Sequence, residues 1–374
     1  MISFLLSNTA RLCGFLFLAG ALNTVCAAQE PFPGEPVAPP QKPAQTDSNP
    51  PPPIPDDQYQ IPAFRVNTSV VLVPTLVEKA GGDVVYGLQP KDFTLLDNGV
   101  PQTVHVDDDQ DSQPISLLIC VERGRDAPLE FDMFARLGPL LQLFLGDEQN
   151  GNRDGEAALV TFDSHPVYVQ GFQKDTTELE KHLENLSPGD GGAAILDAVG
   201  YSVNLLEQRP DNHRRVLLLI SETRDHGSRH VTIPQLVERF GTSNTLVLSL
   251  AFSPSNAEMI AWAKGNPAGD DGYGAGGLIA PLLMSLNAMR RNSPKALAEM
   301  SGGEYAPFNR DKVFERRFAE EAKHARNRYL LSFHPTDLTP GLHTIEVKLT
   351  QDYGAHVVAR ESYWAVNDTL KPAQ

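Results

Sequence analysis

From Phe64 the chain alternates. Val66, Thr68, Val70 and Leu72 stand between Arg65, Asn67, Ser69 and Val71, the period of two expected of a strand. Asp92-Phe93-Thr94-Leu95-Leu96 and Thr103-Val104-His105-Val106 flank Asp97-Asn98-Gly99. An Asn-Gly pair favours positive backbone dihedrals, so a tight hairpin turn is expected there. The pattern changes at Pro114. Short, mostly apolar runs, Ile115–Val121, Ala157–Phe162, Val167–Val169, Val216–Ile220 and Thr245–Phe252, are separated by stretches with helical spacing. Those stretches are Leu129–Leu145, Thr177–Leu186, Ala194–Glu207, Ile233–Phe240, Ala257–Lys264, Pro281–Met300 and Lys312–Arg326. Uninterrupted apolar strands between helices predict a mostly parallel sheet covered on both faces. Alternation then returns in Arg328–Phe333, in His343–Leu349 and in His356–Ala359, which runs on to Tyr363.

The order β, α/β, β predicts a doubly wound α/β domain, residues 113–326, inserted into an antiparallel, sandwich-like β domain. Residues 64–112 and 327–367 would build that β domain, with 368–374 a tail. Residues 29–63, centred on Pro50-Pro51-Pro52-Pro53, cannot supply a core and read as a disordered linker.

The first residues bear on compartment. Arg11 precedes the apolar run Leu12–Leu22, and the small residues of Val25-Cys26-Ala27-Ala28 follow. A run this short, ending in small residues, reads as a cleaved signal peptide, 1–28, rather than a membrane span of about 20 residues. The mature chain is then extracytoplasmic: periplasmic, cell-surface or secreted. Lipid attachment at Cys26 is the alternative, with Val25 a poor fit before it. Cys120 is then the remaining cysteine; within its apolar run it should be buried and inert. With 47 acidic against 31 basic residues the formal charge is -16, which argues against nucleic acid as a partner.

Several strings carry a family resemblance. Ahead of the α/β part stand Gly87-Leu88, Asp92-Phe93 and Asp97-Asn98-Gly99-Val100-Pro101-Gln102; within it stand Ala158-Leu159-Val160-Thr161-Phe162 and Gly191-Gly192-Ala193-Ala194-Ile195-Leu196-Asp197-Ala198. Ala298-Glu299-Met300-Ser301-Gly302-Gly303, Tyr329-Leu330-Leu331-Ser332-Phe333 and Ala359-Arg360-Glu361-Ser362-Tyr363 follow. In this order they resemble a bacterial family related to von Willebrand factor A domains, of the type described from Acidobacteria. The resemblance implies a metal-ion-dependent adhesion site: Asp-x-Ser-x-Ser after the first strand, a Thr in a Gly-Gly-Thr loop and an Asp after the fourth strand. Such oxygen donors suit a hard divalent cation. Here the matching positions are Glu122, Gly124, Asp126, Ala193 and Glu222. Glutamate is longer than aspartate by a methylene, and Ala193 cannot ligate. The site is therefore expected to be degenerate and to hold no metal, with Arg123, Arg125, Arg224 and Asp225 as charge partners; Arg123 and Arg125 would pair with Glu122, Glu222 or Asp126. A weak Mg²⁺ or Ca²⁺ site on Glu122, Asp126 and Glu222 is the alternative. Restoring all five family residues is expected to restore Mg²⁺ binding.

His226 and His230 near Asp225 lack the helical context of a zinc pair. No Gly-x-Ser-x-Gly elbow and no phosphate-binding loop appears. The expected function is non-enzymatic: recognition of a macromolecule, a protein in the first place, by the loops at the top of the α/β sheet, with no cofactor. An uncharacterised extracytoplasmic enzyme and a structural envelope component are the other classes.

Overall fold

In the computed structural model the chain is described at residues 70–107, 113–124, 126–146, 155–252, 291–309 and 311–365. The expected signal peptide, the whole of the linker, the start of the first expected strand, the helix expected over Ala257–Lys264, the tail and Arg125 lie outside these residues.

Strand β5 (Ile115–Glu122) is buried along its whole length. Its odd positions, Ile115, Leu117, Ile119 and Val121, enter one apolar core; Leu118 and Cys120 enter another. A strand with both faces in a core sits at the centre of a sheet covered on both sides. The six-stranded sheet runs β10-β9-β8-β5-β6-β7, with β6 Glu156–Phe162, β7 Pro166–Gln173, β8 Arg214–Ser221, β9 Leu246–Ala251 and β10 Tyr305–Pro307. Neighbours from β10 to β6 are parallel, and β7 closes the edge antiparallel. This is a doubly wound α/β fold whose strand order reverses between β5 and β8.

Each face carries its own helices. The short turns α1 (Phe131–Phe134) and α2 (Gln142–Leu145), helix α3 (Thr177–Glu184) and helix α7 (Asp311–Arg326) feed the first core through Phe134, Phe144, Leu179, Leu183, Phe314 and Phe318. Helices α4 (Ile195–Glu207), α5 (Ile233–Ser243) and α6 (Ser293–Ser301) feed the second. On α4 the core residues Ile195, Ala198, Val199, Val203 and Leu206 keep the spacing of one helical face. The long helix expected over Leu129–Leu145 is instead broken into 3₁₀ and α turns, with Pro139 inside the stretch. Proline removes a donor and clashes with the preceding turn.

The β domain is built from both ends of the described chain. Strands β1 (Val71–Lys79), β4 (His105–Asp107), β11 (Tyr329–Phe333) and β13 (Ala355–Ala359) form one sheet, ordered β13-β1-β11-β4. Strands β2 (Phe93–Asp97), β3 (Val100–Gln102), β12 (Gly341–Leu349) and β14 (Ser362–Ala365) form another, ordered β14-β12-β2-β3. All pairings are antiparallel. The expected β2–β3 turn is present, with Asn98 and Gly99 both at positive φ. Val73, Val77, Phe93, Leu95, Phe333 and Ile345 fill the shared core.

Two expectations are corrected. The inward residues of β1 are Val71 and Val73, with Leu72 only half-buried. Its alternation was ambiguous because Pro74 and Leu76 on the other face are buried as well. The strand expected from His356 to Tyr363 is two strands in different sheets, parted at Arg360 and Glu361. Arg360 is 1% exposed. Its guanidinium donates to Leu72 O (2.9 Å) on β1 and to Phe240 O (2.8 Å) on α5, joining the two domains.

Candidate functional site

Ligand sites of doubly wound sheets lie at the carboxyl ends of strands where the order reverses. Here β5 and β8 are paired neighbours and deliver Glu122 and Glu222 to that point. Both are buried, Glu122 completely. Glu122 Oε2 accepts the backbone N–H of Glu222 at 2.8 Å. Ser221 Oγ donates to Glu222 O, and His226 Nε2 lies 3.7 Å from Glu222 Oε1. The first carboxylate of the motif is thus turned onto the backbone of the second.

Arg123 forms its ion pair with Asp163 Oδ2 at 3.0 Å, not with Glu122, Glu222 or Asp126 as expected. Asp163 follows β6, and the Arg123 N–H also bonds Phe162 O there, so residue and side chain point to the same neighbouring strand end.

Gly124 shows why a serine is absent. A Cβ at Gly124 would stand 1.8 Å from Gly192 O and 3.1 Å from Asp190 O. The Gly-Gly loop presses its backbone into the space where the first serine hydroxyl of the family pattern would begin. The loop is in turn pressed on β6: a Cβ at Gly192 would meet Ser164 Oγ at 2.0 Å, and one at Gly189 would meet Asp163 Oδ2 at 2.3 Å. Asp190 fastens it, accepting at Oδ1 from Ser164 N, Ser164 Oγ and Gly192 N. Burial works to raise the Asp190 pKa, but these bonds and the nearby His165 outweigh it and hold the carboxyl below its ordinary value.

Ala193 is fully buried and exchanges two backbone hydrogen bonds with His226, 3.0 and 2.7 Å. Asp126 and Arg224 are exposed. Asp225 Oδ1 accepts from Leu196 N and from the Ser228 hydroxyl, which ties the start of α4 to the loop after β8. The fold therefore gathers Glu122, Gly124, Ala193 and Glu222, and leaves Asp126 and Arg224 at the rim.

Sequence reasoning missed Asp163, Asp190 and Asp197. Asp197 is 2% exposed and accepts from Arg229 N, His230 N and Val231 N, so it orders the loop that carries both histidines. Gly189 and Gly192, which bracket Asp190, were the available signal: they mark close backbone approach.

The family pattern implies a divalent ion, and the residues present do not fit one. Position 124 has no room for a hydroxyl, Ala193 offers none, and Glu122 is engaged by a backbone donor. Nearby, Asp163, His165 and Asp190 bring potential ligand atoms within 4.8 Å of one another, but Arg123 already neutralises Asp163.

Residues 124–224 match the model of the von Willebrand factor type A domain. Over those residues the α/β domain is similar to a von Willebrand factor type A domain. Among curated proteins none matches the sequence. Similar solved structures include an aerotolerance-related membrane protein from Bacteroides fragilis, 13% identical, covering 56% of this chain and 98% of its own, TM-score 0.35. BatB from Bacteroides thetaiotaomicron is 14% identical, covering 56% and 99%, TM-score 0.33. The von Willebrand factor domain of the pilus tip protein Mfa5 from Porphyromonas gingivalis is 11% identical, covering 57% and 95%, TM-score 0.36. Likenesses this low carry no functional argument. Among the described residues no helix is long and apolar enough to cross a membrane.

Proposed function

We propose that the protein is an exported, non-enzymatic recognition protein that binds a macromolecule, most simply a protein, through the carboxyl-end face of its α/β sheet without a metal ion. The observation that carries this reading is the close approach of Gly192 O to Gly124. It puts a peptide carbonyl where the family's metal chemistry needs a side-chain hydroxyl. A mixed rim of Asp126, Asp190, Arg224, His226, Arg229 and His230 is exposed above the buried pair of glutamates. Charges of both signs on a rigid loop platform suit selection of a complementary protein surface. The export assignment rests on the apolar leader, and the Acidobacteria-type kinship on the order of motifs.

Two measurements test it. Thermal unfolding should not shift with millimolar Mg²⁺ or Ca²⁺ or with EDTA, because an ion that binds only the folded state would raise stability by mass action. A saturable shift lost in Glu122→Gln would return metal-dependent adhesion as the function. Photocrosslinkers at positions 126, 224 and 229 should trap one partner from the envelope of the source cell, whereas one at position 211, at the opposite end of the sheet, should not. Equal yield at both ends would remove the face from consideration.

A further inference from the structure

A second charged cluster lies away from the candidate face, where the two domains meet. His324 is in the last turn of α7 and 6% exposed. Its Nδ1 is 2.9 Å from Glu304 Oε1, and its Nε2 is 3.3 Å from Glu78 Oε2 on β1. The other oxygen of Glu78 meets His356 Nε2 on β13 at 2.8 Å. The other oxygen of Glu304 meets Arg328 Nη2 at 2.7 Å, and Arg328 Nη1 donates to Gly302 O. The groups form one chain in which cation and carboxylate alternate: His356, Glu78, His324, Glu304, Arg328. Its first three members cross from the β domain to α7.

The geometry fixes the protonation of its centre. An ionised carboxylate only accepts hydrogen bonds, and a neutral imidazole donates from one nitrogen only. His324 is hydrogen-bonded to Glu304 at Nδ1 and faces a Glu78 carboxylate oxygen at Nε2, so it presents an N–H to both carboxylates only when the ring is an imidazolium. We propose that this cluster is a protonation-dependent clasp: the His324 imidazolium holds α7 to β1, and its deprotonation loosens the α/β domain from the β domain.

The surroundings agree. Burial works to lower the His324 pKa, but the bond to Glu304 and the charges of Glu304 and Glu78 outweigh it and raise the pKa above 6.5, against the pull of Arg328. The bond to Glu78 likewise raises that of His356. Burial is opposed at Glu304 by His324 and Arg328, which hold its carboxyl below the ordinary value. On α7 itself Glu321 is 2% exposed, and burial beside Glu304 raises its pKa well above the usual range, against Arg328 and Arg317. Glu78 and Glu304 are the carboxylates that meet Arg328 and the two histidines. The final turn of a helix also favours a cation. A raised imidazole pKa contributes stability that is complete below 6.5 and is lost as pH rises through the folded-state value. Glu304, with its pKa lowered, sets the acid limit, its contribution fading as pH falls below about 4.5. A metal on these atoms would have to displace bonds already made and sit beside Arg328.

The test uses the full exported chain with its histidines labelled for NMR. The ring of His324, assigned by its absence in His324→Gln, should titrate above 6.5. The gap in Tm between wild type and His324→Gln should be widest near about pH 6 and close toward about pH 9. Should His324→Gln not fold, His356→Gln removes the neighbouring cation from Glu78 and should move the wild-type His324 titration upward. A ring titrating at or below 6.5, or a Tm gap constant with pH, would overturn the clasp. So would an equimolar Zn²⁺-induced rise in Tm seen in wild type and lost in His324→Gln, since the nitrogens would then be metal ligands.

Discussion

The strand-end face and the domain junction both gather carboxylates, and they stabilise them by different means. At the face, Glu122 takes a backbone N–H, Asp190 takes two backbone N–H groups and a hydroxyl, and Asp197 takes three N–H groups. At the junction Glu78 and Glu304 take histidine and arginine side chains. A backbone donor cannot titrate or be removed by substituting a side chain, so the face should keep its shape over a wide pH range. A side-chain cation can do both, so the junction is where pH and mutation should act.

The comparison can be broken at several points. The largest effect is expected for Glu304→Ala. It strips the counter-charge from His324 and from Arg328, which is 4% exposed. Removing one partner of a buried charge network costs about 3–5 kcal/mol, to be read as a lower urea midpoint; a loss below about 1 kcal/mol would place the junction among exposed pairs. Next is Gly124→Ser. The Cβ would meet a peptide carbonyl rather than a movable side chain, and overpacking of that kind costs about 1–3 kcal/mol. For the same reason the variant carrying Glu122→Asp, Gly124→Ser, Asp126→Ser, Ala193→Thr and Glu222→Asp should lose stability and show no Mg²⁺-dependent rise in Tm. A clear rise would mean that the Gly-Gly loop yields easily. The smallest effect is expected for Asp190→Ala. Its side chain is exposed, so the loss of three acceptor contacts should cost no more than about 1 kcal/mol, visible as faster hydrogen exchange at Ser164 and Gly192.

The same contrast separates what was legible in the sequence from what was not. Ile115–Val121 revealed its burial because every residue but Ser116 is apolar, and Asn98-Gly99 its turn because both dihedrals must be positive. Those signals are local. The breakdown of Leu129–Leu145 was also written locally, in Gly138-Pro139, and was outvoted by the leucines around it. The five matching positions came from motif order, but their geometry did not. That Arg123 would choose Asp163, or that Gly192 would fill the space beside Gly124, depends on three strand ends meeting. The junction was invisible for a further reason: Glu78, Glu304, His324 and His356 come from four separate segments, none with a motif spacing.

The interleaving of the β domain has a consequence for the order in which the chain can fold. The strand partners of β1 among the described residues are β11 and β13, and Val71 meets Phe333, about 260 residues further on. A chain emerging from its amino terminus must therefore carry β1 without its strand partners, and β2 with β3 alone, until nearly all of the described chain has appeared. Non-local pairing of this kind is slow to form and leaves strand edges exposed meanwhile. The inserted α/β domain has all six strands of its sheet before β11 is made, so it is free to fold first and to bring the two halves of the β domain within reach. A nascent chain arrested before Tyr329 should then protect β5, β6 and β8 from protease while leaving β1 open to cleavage.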